Sequence, residues 1–403
     1  MVTMSVPVTA PASGTPSGTP SGTVEEAIQA ALATVDDPEI RRPITELGMV
    51  KGFTVSAGGS VTVELLLTVA GCPLKDKLTA DITGALTALP GIVSVAIDFG
   101  VMTTEQRQSL QAGLRAAGGA PGGAEPVIPF AQPGSRTRVY AVASGKGGVG
   151  KSSVTVNLAA SLAKRGLSVG VIDADIYGHS VPRMLGTEAR PTRVEDMIMP
   201  PQSHGVKLIS IGMFTAGNAA VVWRGPMLHR ALQQFLADVY WGELDVLLLD
   251  LPPGTGDVAI SLAQLLPNAE ILVVTTPQTA AAEVAERAGA IALQTHQRLV
   301  GVVENMSWLE LPDGSRMEVF GSGGGATVAE SLTRVMGAPV PLLGQIPLDT
   351  RVREAGDSGT PIVLADPSAP AAKALEEVAA RLALRRESLV GKPLGLTVTA
   401  RRG

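Results

Sequence analysis

A chain of 403 residues has room for two or three domains at roughly 150 residues each. Its 45% apolar residues can fill a core, while charged residues are only 17% and sum to −5, which excludes the basic footprint of a general nucleic-acid binder. Cys72 is the single cysteine, so an intrachain disulfide and a cysteine-only metal site within one chain are both excluded. No apolar run reaches the roughly 20 residues that span a bilayer, and the N-terminus lacks the basic region of a secretory signal. The expectation is a cytoplasmic protein with no membrane and no nucleic-acid partner.

Residues 1–22 form a Thr/Ser/Gly/Pro tract with almost nothing to bury and are expected to be a disordered tail. Residues 23–103 read as a small α+β domain. Its first helix, Val24–Val35, places Ala27, Ile28, Ala31 and Leu32 on one face and stops before Asp36-Asp37-Pro38. Strands Val50–Val55 and Val61–Val69 flank the turn Ser56-Ala57-Gly58-Gly59-Ser60, then come a helix over Leu74–Leu89 and a strand over Val93–Phe99. Residues 104–136 hold a short helical stretch, Thr104–Ala116, and a Gly/Ala/Pro-rich run that reads as a linker. Residues 137–391 alternate short apolar strands with helical stretches. The strands are Val139–Ala143, Ser168–Asp173, Val206–Ile211, Val246–Asp250, Ile271–Thr275, Leu299–Glu304 and Pro341–Ile346. Such alternation predicts an α/β domain with a mainly parallel sheet and helices on both faces. Residues 392–403 read as a loose tail.

The strongest signal is Gly145-Lys146-Gly147-Gly148-Val149-Gly150-Lys151-Ser152-Ser153, which satisfies G-x-x-x-x-G-K-[ST]. Its glycines let backbone N–H groups curl around phosphate oxygens. An apolar strand precedes it, and a helix with Val154, Leu158 and Leu162 on one face follows, the setting that places phosphate at a helix N-terminus. Position assigns Lys151 to the β- and γ-phosphates of a nucleotide and the Ser152 hydroxyl to Mg²⁺. Lys146 suits either an ordinary exposed charge or a cation that supplements transition-state charge on a neighbouring nucleotide, as an arginine finger does.

Two acidic clusters end strands, where an open α/β sheet places its ligands. In Val171-Ile172-Asp173-Ala174-Asp175 the expected functional residue is Asp175, positioning the attacking water. In Leu247-Leu248-Leu249-Asp250 followed by Leu251-Pro252-Pro253-Gly254-Thr255-Gly256-Asp257, Asp250 is the expected anchor of Mg²⁺. The N-K-x-D signature for guanine is missing, and Asn305 in Glu304-Asn305-Met306-Ser307 is the candidate for an adenine edge. The expected cofactors are ATP and Mg²⁺.

Together these residues resemble a known family. Lys146-Gly147-Gly148-Val149-Gly150-Lys151-Ser152 is similar to the deviant Walker A motif of the MinD/ParA class of P-loop ATPases. Asp173-Ala174-Asp175-Ile176-Tyr177-Gly178, Trp223-Arg224-Gly225-Pro226-Met227, Asp250 to Asp257 and Glu304 to Ser307 narrow the resemblance to the Mrp/ApbC branch, which carries iron–sulfur clusters to apoproteins. Asp37-Pro38-Glu39 and Thr68-Val69-Ala70-Gly71-Cys72-Pro73 resemble marks of the small iron–sulfur assembly domain often fused in front of it. The resemblance implies a face-to-face homodimer in which Lys146 reaches the partner's nucleotide, Asp175 serves hydrolysis and Asn305 contacts adenine. It also implies apoprotein clients and iron–sulfur assembly proteins as partners.

One departure bears on the cargo. After Glu-Asn-Met-Ser the family usually has a C-x-x-C pair that shares a cluster across the dimer, and here Leu311 stands at the first cysteine with nothing replacing the second. Cys72 reads either as a small buried hydrophobe beside Pro73 or as a thiolate at a helix N-terminus. His179, His204, His229 and His296 show no ligand spacing. The expected function is therefore an ATP-hydrolysing iron–sulfur cluster carrier, and the alternative is a nucleotide-switched, dimerising assembly ATPase that holds no cluster. A positioning ATPase of the MinD/ParA kind ranks behind both, because the C-terminal residues show no sustained apolar face.

Overall fold

A computed structural model describes residues 4–5, 24–38, 40–56, 58–68, 75–117, 127–175, 178–214, 225–254, 257–278 and 281–383. Cys72, most of the 1–22 tract, the 118–126 run and the C-terminal tail lie outside the described residues.

The N-terminal elements are β1 (Met4–Ser5), α1 (Val24–Leu32), β2 (Val50–Val55), β3 (Ser60–Leu67), α2 (Lys75–Thr87), β4 (Ser94–Val101) and α3 (Thr104–Ala117). On β3 the period of two buries Val61, Val63 and Leu65. On α2 the i, i+4, i+8 spacing buries Leu78, Ile82 and Leu86 against them. The β2–β3 hairpin is antiparallel and β3 pairs parallel with β4, as a strand–helix–strand crossover requires. Within the tract expected to be disordered, Met4 and Ser5 pair with Phe53 and Gly52, because β2 is an edge strand with backbone groups left to bond. The stretch expected as a linker also contributes structure: Leu110 and Leu114 of α3 are buried in the N-terminal core, and Phe130 is buried in the core of the following domain.

The second domain comprises β5 (Arg138–Ala143), α4 (Lys151–Lys164), β6 (Val169–Asp173), α5 (Val181–Met184), β7 (Thr192–Val194), β8 (Met197–Met199), β9 (Gln202–Ser203) and β10 (Val206–Ser210). Then follow α6 (Gly225–Ala237), β11 (Val246–Asp250), α7 (Asp257–Leu265), β12 (Glu270–Thr275), α8 (Ala281–Gln294), β13 (Arg298–Glu310), β14 (Arg316–Met317) and α9 (Gly324–Met336). The chain closes with β15 (Leu342–Leu348), α10 (Thr350–Ser358), α11 (Ile362–Ala365) and α12 (Pro370–Ala383).

Among the described residues these form a nine-stranded sheet in the order β14-β13-β12-β5-β11-β6-β10-β9, with β15 also on β13. The sheet is parallel except for β9 and β14. Both faces are covered. Val139, Leu247, Leu249, Ile271 and Val273 belong to one core, while Tyr140, Val142, Leu248, Leu272 and Val274, their neighbours along the strands, belong to the other. This explains why the strands read as unbroken apolar runs. β5 lies at the centre, so the loop after it opens between β11 and β12 at the carboxyl ends of the strands.

The β7–β8 hairpin was not anticipated. Its Val194, Met197 and Met199 are buried in the N-terminal domain's core, and Glu195 accepts from Arg107 of α3 at 2.7 Å. Burying each such side chain contributes roughly 1.5–3 kcal/mol, against at most about 1 kcal/mol for a part-exposed ion pair. Apolar contact, not the ion pair, holds the hairpin to the first domain.

Candidate functional site

The loop between β5 and α4 turns through Gly148 at φ +80° and Gly150 at φ +78°, where an L side chain is strained. At Gly150 a Cβ would also collide with the Asn305 amide, so this glycine is required twice over. Asn305, from the middle of β13, donates Nδ2 to the Val149 carbonyl at 2.9 Å and so braces the loop from behind.

Three side chains from the start of α4 meet one carboxylate at the end of β11. Lys151 Nζ lies 2.7 Å from Asp250 Oδ2, the Ser152 hydroxyl 2.5 Å from the same oxygen, and the Thr155 hydroxyl 2.8 Å from Oδ1. Lys151, Thr155 and Asp250 are all buried. Thr155 carries no motif of its own. Its only signal is its place one helical turn after Lys151, which puts both on the same face.

Asp173, the last residue of β6, is the group that motif reading passed over. It is fully buried and accepts from Ser210 Oγ at 3.1 Å, from Asp175 N at 3.2 Å and from Val181 N at 3.3 Å. Burial, and next the neighbouring Asp250 carboxylate, push its carboxyl up to about 8. Asp175 follows two residues later, nearly buried, with Oδ1 accepting from Gly178 N at 3.1 Å. Gly254 N donates to the Ser144 carbonyl at 2.9 Å, which ties the Pro252-Pro253-Gly254 turn to the start of the phosphate loop. Lys146 donates to Gln278 Oε1 in the turn after β12.

The structure therefore brings Gly145 to Ser153, Asp175, Asp250 and Asn305 to one end of the sheet. The donor set fits Mg²⁺: the Ser152 hydroxyl and the Asp250 carboxylate, which meet at 2.5 Å, are hard oxygen ligands. The hairpin after β13 differs. Leu311 N bonds the Ser315 carbonyl at 2.9 Å and Asp313 Oδ1 accepts from Ser315 N at 2.9 Å, forming a closed turn with Leu311 where the family resemblance calls for a thiolate. Among the described residues no group of three His, Cys, Asp or Glu side chains could hold a metal ion. No helix among them is long and apolar enough to cross a membrane.

Comparison with known proteins bears on both domains. A family model described as NUBPL iron-transfer P-loop NTPase matches residues 135–383, and one described as iron-sulfur cluster assembly protein matches residues 25–99. The chain is 66% identical over 375 residues to a protein of Mycobacterium tuberculosis named iron-sulfur cluster carrier protein, covering 93% of this chain and 97% of that one. A protein of the same name from Deinococcus radiodurans is 46% identical over 360 residues, covering 89% and 94%. Among solved structures, a nucleotide-binding protein of Archaeoglobus fulgidus in complex with ADP is 36% identical, with a TM-score of 0.48 over 55% of this chain and 86% of that one.

Proposed function

Because the chain belongs to the NUBPL iron-transfer P-loop NTPase family, we propose that it is an ATP-hydrolysing iron–sulfur cluster carrier, working as a homodimer that hands clusters to apoproteins. The observation that carries the nucleotide half is the convergence of Lys151, Ser152 and Thr155 on Asp250. Lys151 exchanges its ion pair with Asp250 for the β- and γ-phosphates, the strongest anion offered to a half-formed ring of backbone N–H groups. Ser152 and Asp250 would hold Mg²⁺, whose positive charge would offset that of the phosphate groups. Asp175 orients the attacking water. Lys146 leaves Gln278 to meet the nucleotide of the partner subunit.

Asn305 is the residue assigned to the base. One of its two Nδ2 hydrogens goes to the Val149 carbonyl, which leaves the amide a second donor and the Oδ1 acceptor for a base edge. ATP is the nucleotide this reading favours, because the chain lacks the N-K-x-D signature for guanine.

The carrier half rests on the family and on the names of its relatives. The hairpin after β13 does not fit a cluster, since an iron–sulfur group needs thiolates or thiolate–imidazole mixtures and Leu311 supplies neither. A homodimer offers only its two Cys72 thiols. That observation favours the second reading, an assembly ATPase that uses nucleotide-dependent dimerisation to dock partners and holds no cluster. Anaerobic reconstitution with iron and sulfide, followed by iron counting, separates them. Iron retained by the parent chain and lost in Cys72→Ser supports carriage. A parent chain that hydrolyses ATP yet retains no iron overturns it in favour of the assembly reading.

A further inference from the structure

At the opposite end of the strands from the phosphate loop, the two domains enclose a cavity of about 310 Å³. Val169, the first residue of β6, and Leu244, two residues ahead of β11, line it. Its charged lining comes from both domains: Arg41 and Arg42 follow α1 in the first, and Lys207 of β10 and Glu243 belong to the second, with Tyr240 between them.

The charges there are arranged against the usual rule. Surfaces that pack together place opposite signs face to face, because like charges repel across a desolvated gap. Another part of the same interface obeys the rule through Arg107 and Glu195. Here the Arg41 charge of one domain acts on Lys207 of the other, and Glu243 is the single acidic side chain among the lining residues, against three basic ones. The Lys207 ammonium donates to the Trp241 carbonyl at 2.8 Å and stands 5.2 Å from the centre of the Tyr240 ring. Burial, and next the Arg41 charge, lower its pKa to about 8. Arg42 is paired with Glu46 at 3.0 Å, whereas Arg41 makes no ion pair among the described residues.

The Arg41 backbone adds an independent observation. It sits at φ +56°, a conformation that glycine adopts freely and arginine does not. Its N–H bonds the Asp37 carbonyl at 2.7 Å, and Asp37 N bonds the Arg42 carbonyl at 2.9 Å, so the tight loop after α1 over-determines this geometry. Strain of this kind, which Glu195, His204, His296 and Met306 share, persists where the surrounding structure over-determines it.

We infer that this cavity is a second ligand site, for a compact polyanion carrying phosphate or carboxylate groups, which seats between Arg41, Arg42 and Lys207 and clamps the N-terminal domain to the ATPase domain. Guanidinium forks match both kinds of oxyanion bidentately, and the lysine adds a point charge from the opposite wall. The volume stands at the low end of ligand pockets, about 300–1,000 Å³, which suits a small anion. The anion cancels the repulsion that the free interface carries.

The test keeps the phosphate loop out of play. The full-length chain carrying Lys151→Ala, in Mg²⁺-free buffer, is titrated calorimetrically with citrate in one arm and pyrophosphate in the other. One anion is expected to bind per chain in at least one arm, and the stronger arm distinguishes carboxylate from phosphate. Adding Arg41→Gly or Lys207→Met should weaken that binding at least about tenfold, since each removes a charge-assisted hydrogen bond. Arg41→Gly relieves the φ strain and one repulsion, so without anion it should melt no lower than its parent, and it keeps the test open even if Lys207→Met folds poorly. In the parent the bound anion should raise the melting temperature, and in Arg41→Gly it should not. No binding of either anion, or binding that Arg41→Gly leaves within about twofold, overturns the site.

Discussion

The phosphate loop and the hairpin after β13 stand at the same end of one sheet, yet they differ in how scaffold and chemistry depend on each other. In the loop the same atoms do both. Gly150 makes the turn and clears Asn305, and Lys151 neutralises Asp250 in the buried cluster before any phosphate is present. In the hairpin the scaffold is complete without the family's ligands. Leu309 pairs with Met317, Glu310 pairs with Arg316, and the Arg316 guanidinium lies 3.9 Å from the centre of the Trp308 ring. A hairpin built this way keeps its shape when its thiols are replaced. A phosphate loop does not.

The largest effect that would break this contrast is at Lys151. Lys151→Ala should abolish ATP binding in a fluorescence titration, because it removes the charge that meets the β/γ-phosphates and leaves Asp250 unpaired. Undiminished nucleotide affinity would mean that the loop, like the hairpin, is scaffold alone.

Next in size are Lys146→Ala and Asp175→Ala. Loss of a finger-type cation costs about 10³-fold or more in turnover, and loss of the residue that positions water about 10²–10⁴-fold, with Mg·ATP affinity mostly spared in both. If Lys146 acts across the dimer, mixing the two inactive proteins creates mixed dimers with one doubly damaged site and one intact site. Steady-state hydrolysis should then reappear in the mixture. Mixed dimers verified by native mass spectrometry that stay inactive would place Lys146 on its own chain's nucleotide.

A third experiment tests the hairpin from the other direction. Leu311→Cys with Gly314→Cys restores a C-x-x-C spacing on the existing turn. Gly314 sits at φ +79°, so the second cysteine should destabilise the turn by about 1–2 kcal/mol. Even so, the double variant should retain iron after anaerobic reconstitution beyond the level of the parent. An iron content equal to the parent's would show that the scaffold has drifted as well as its ligands.

The smallest effect concerns Asp173. Its folded pKa of about 8 lies above the ordinary carboxylate value of 3.8, so between these pH values the folded chain holds a proton that the unfolded chain has released. The stability contributed by the protonated form is fully present below about pH 4, declines as pH rises towards 8 and then levels off. Asp173→Asn should match the parent in melting temperature near pH 4 and exceed it increasingly towards pH 8. Parallel melting curves across that range would show that Asp173 is ionised in the folded chain.

Much of the site could be read locally. The strand Val246–Asp250 has the bounds that its apolar run predicts, and the other strands of the parallel sheet begin and end within two residues of expectation apart from the end of β13. That strand was expected to stop at Glu304 but continues to Glu310. Its register against β15 shifts between Asn305 and Leu309, around Met306 at φ +60°, an interruption that looks like a strand end when only composition is visible.

Glycines at positive φ, a lysine at a helix N-terminus and alternation between two apolar faces are short-range devices, written within a dozen residues, and the chain declares them openly. The remainder depends on residues far apart along it. Thr155 serves the site only because β11 brings Asp250 to it from 95 residues away. Asp173 keeps its proton only because folding buries it beside Asp250. Val194, Met197 and Met199 look like material for their own domain, yet they fill the core of the other. Burial and electrostatic coupling are properties of proximity in space, and proximity between distant segments is set by packing the whole sheet, which no local pattern encodes.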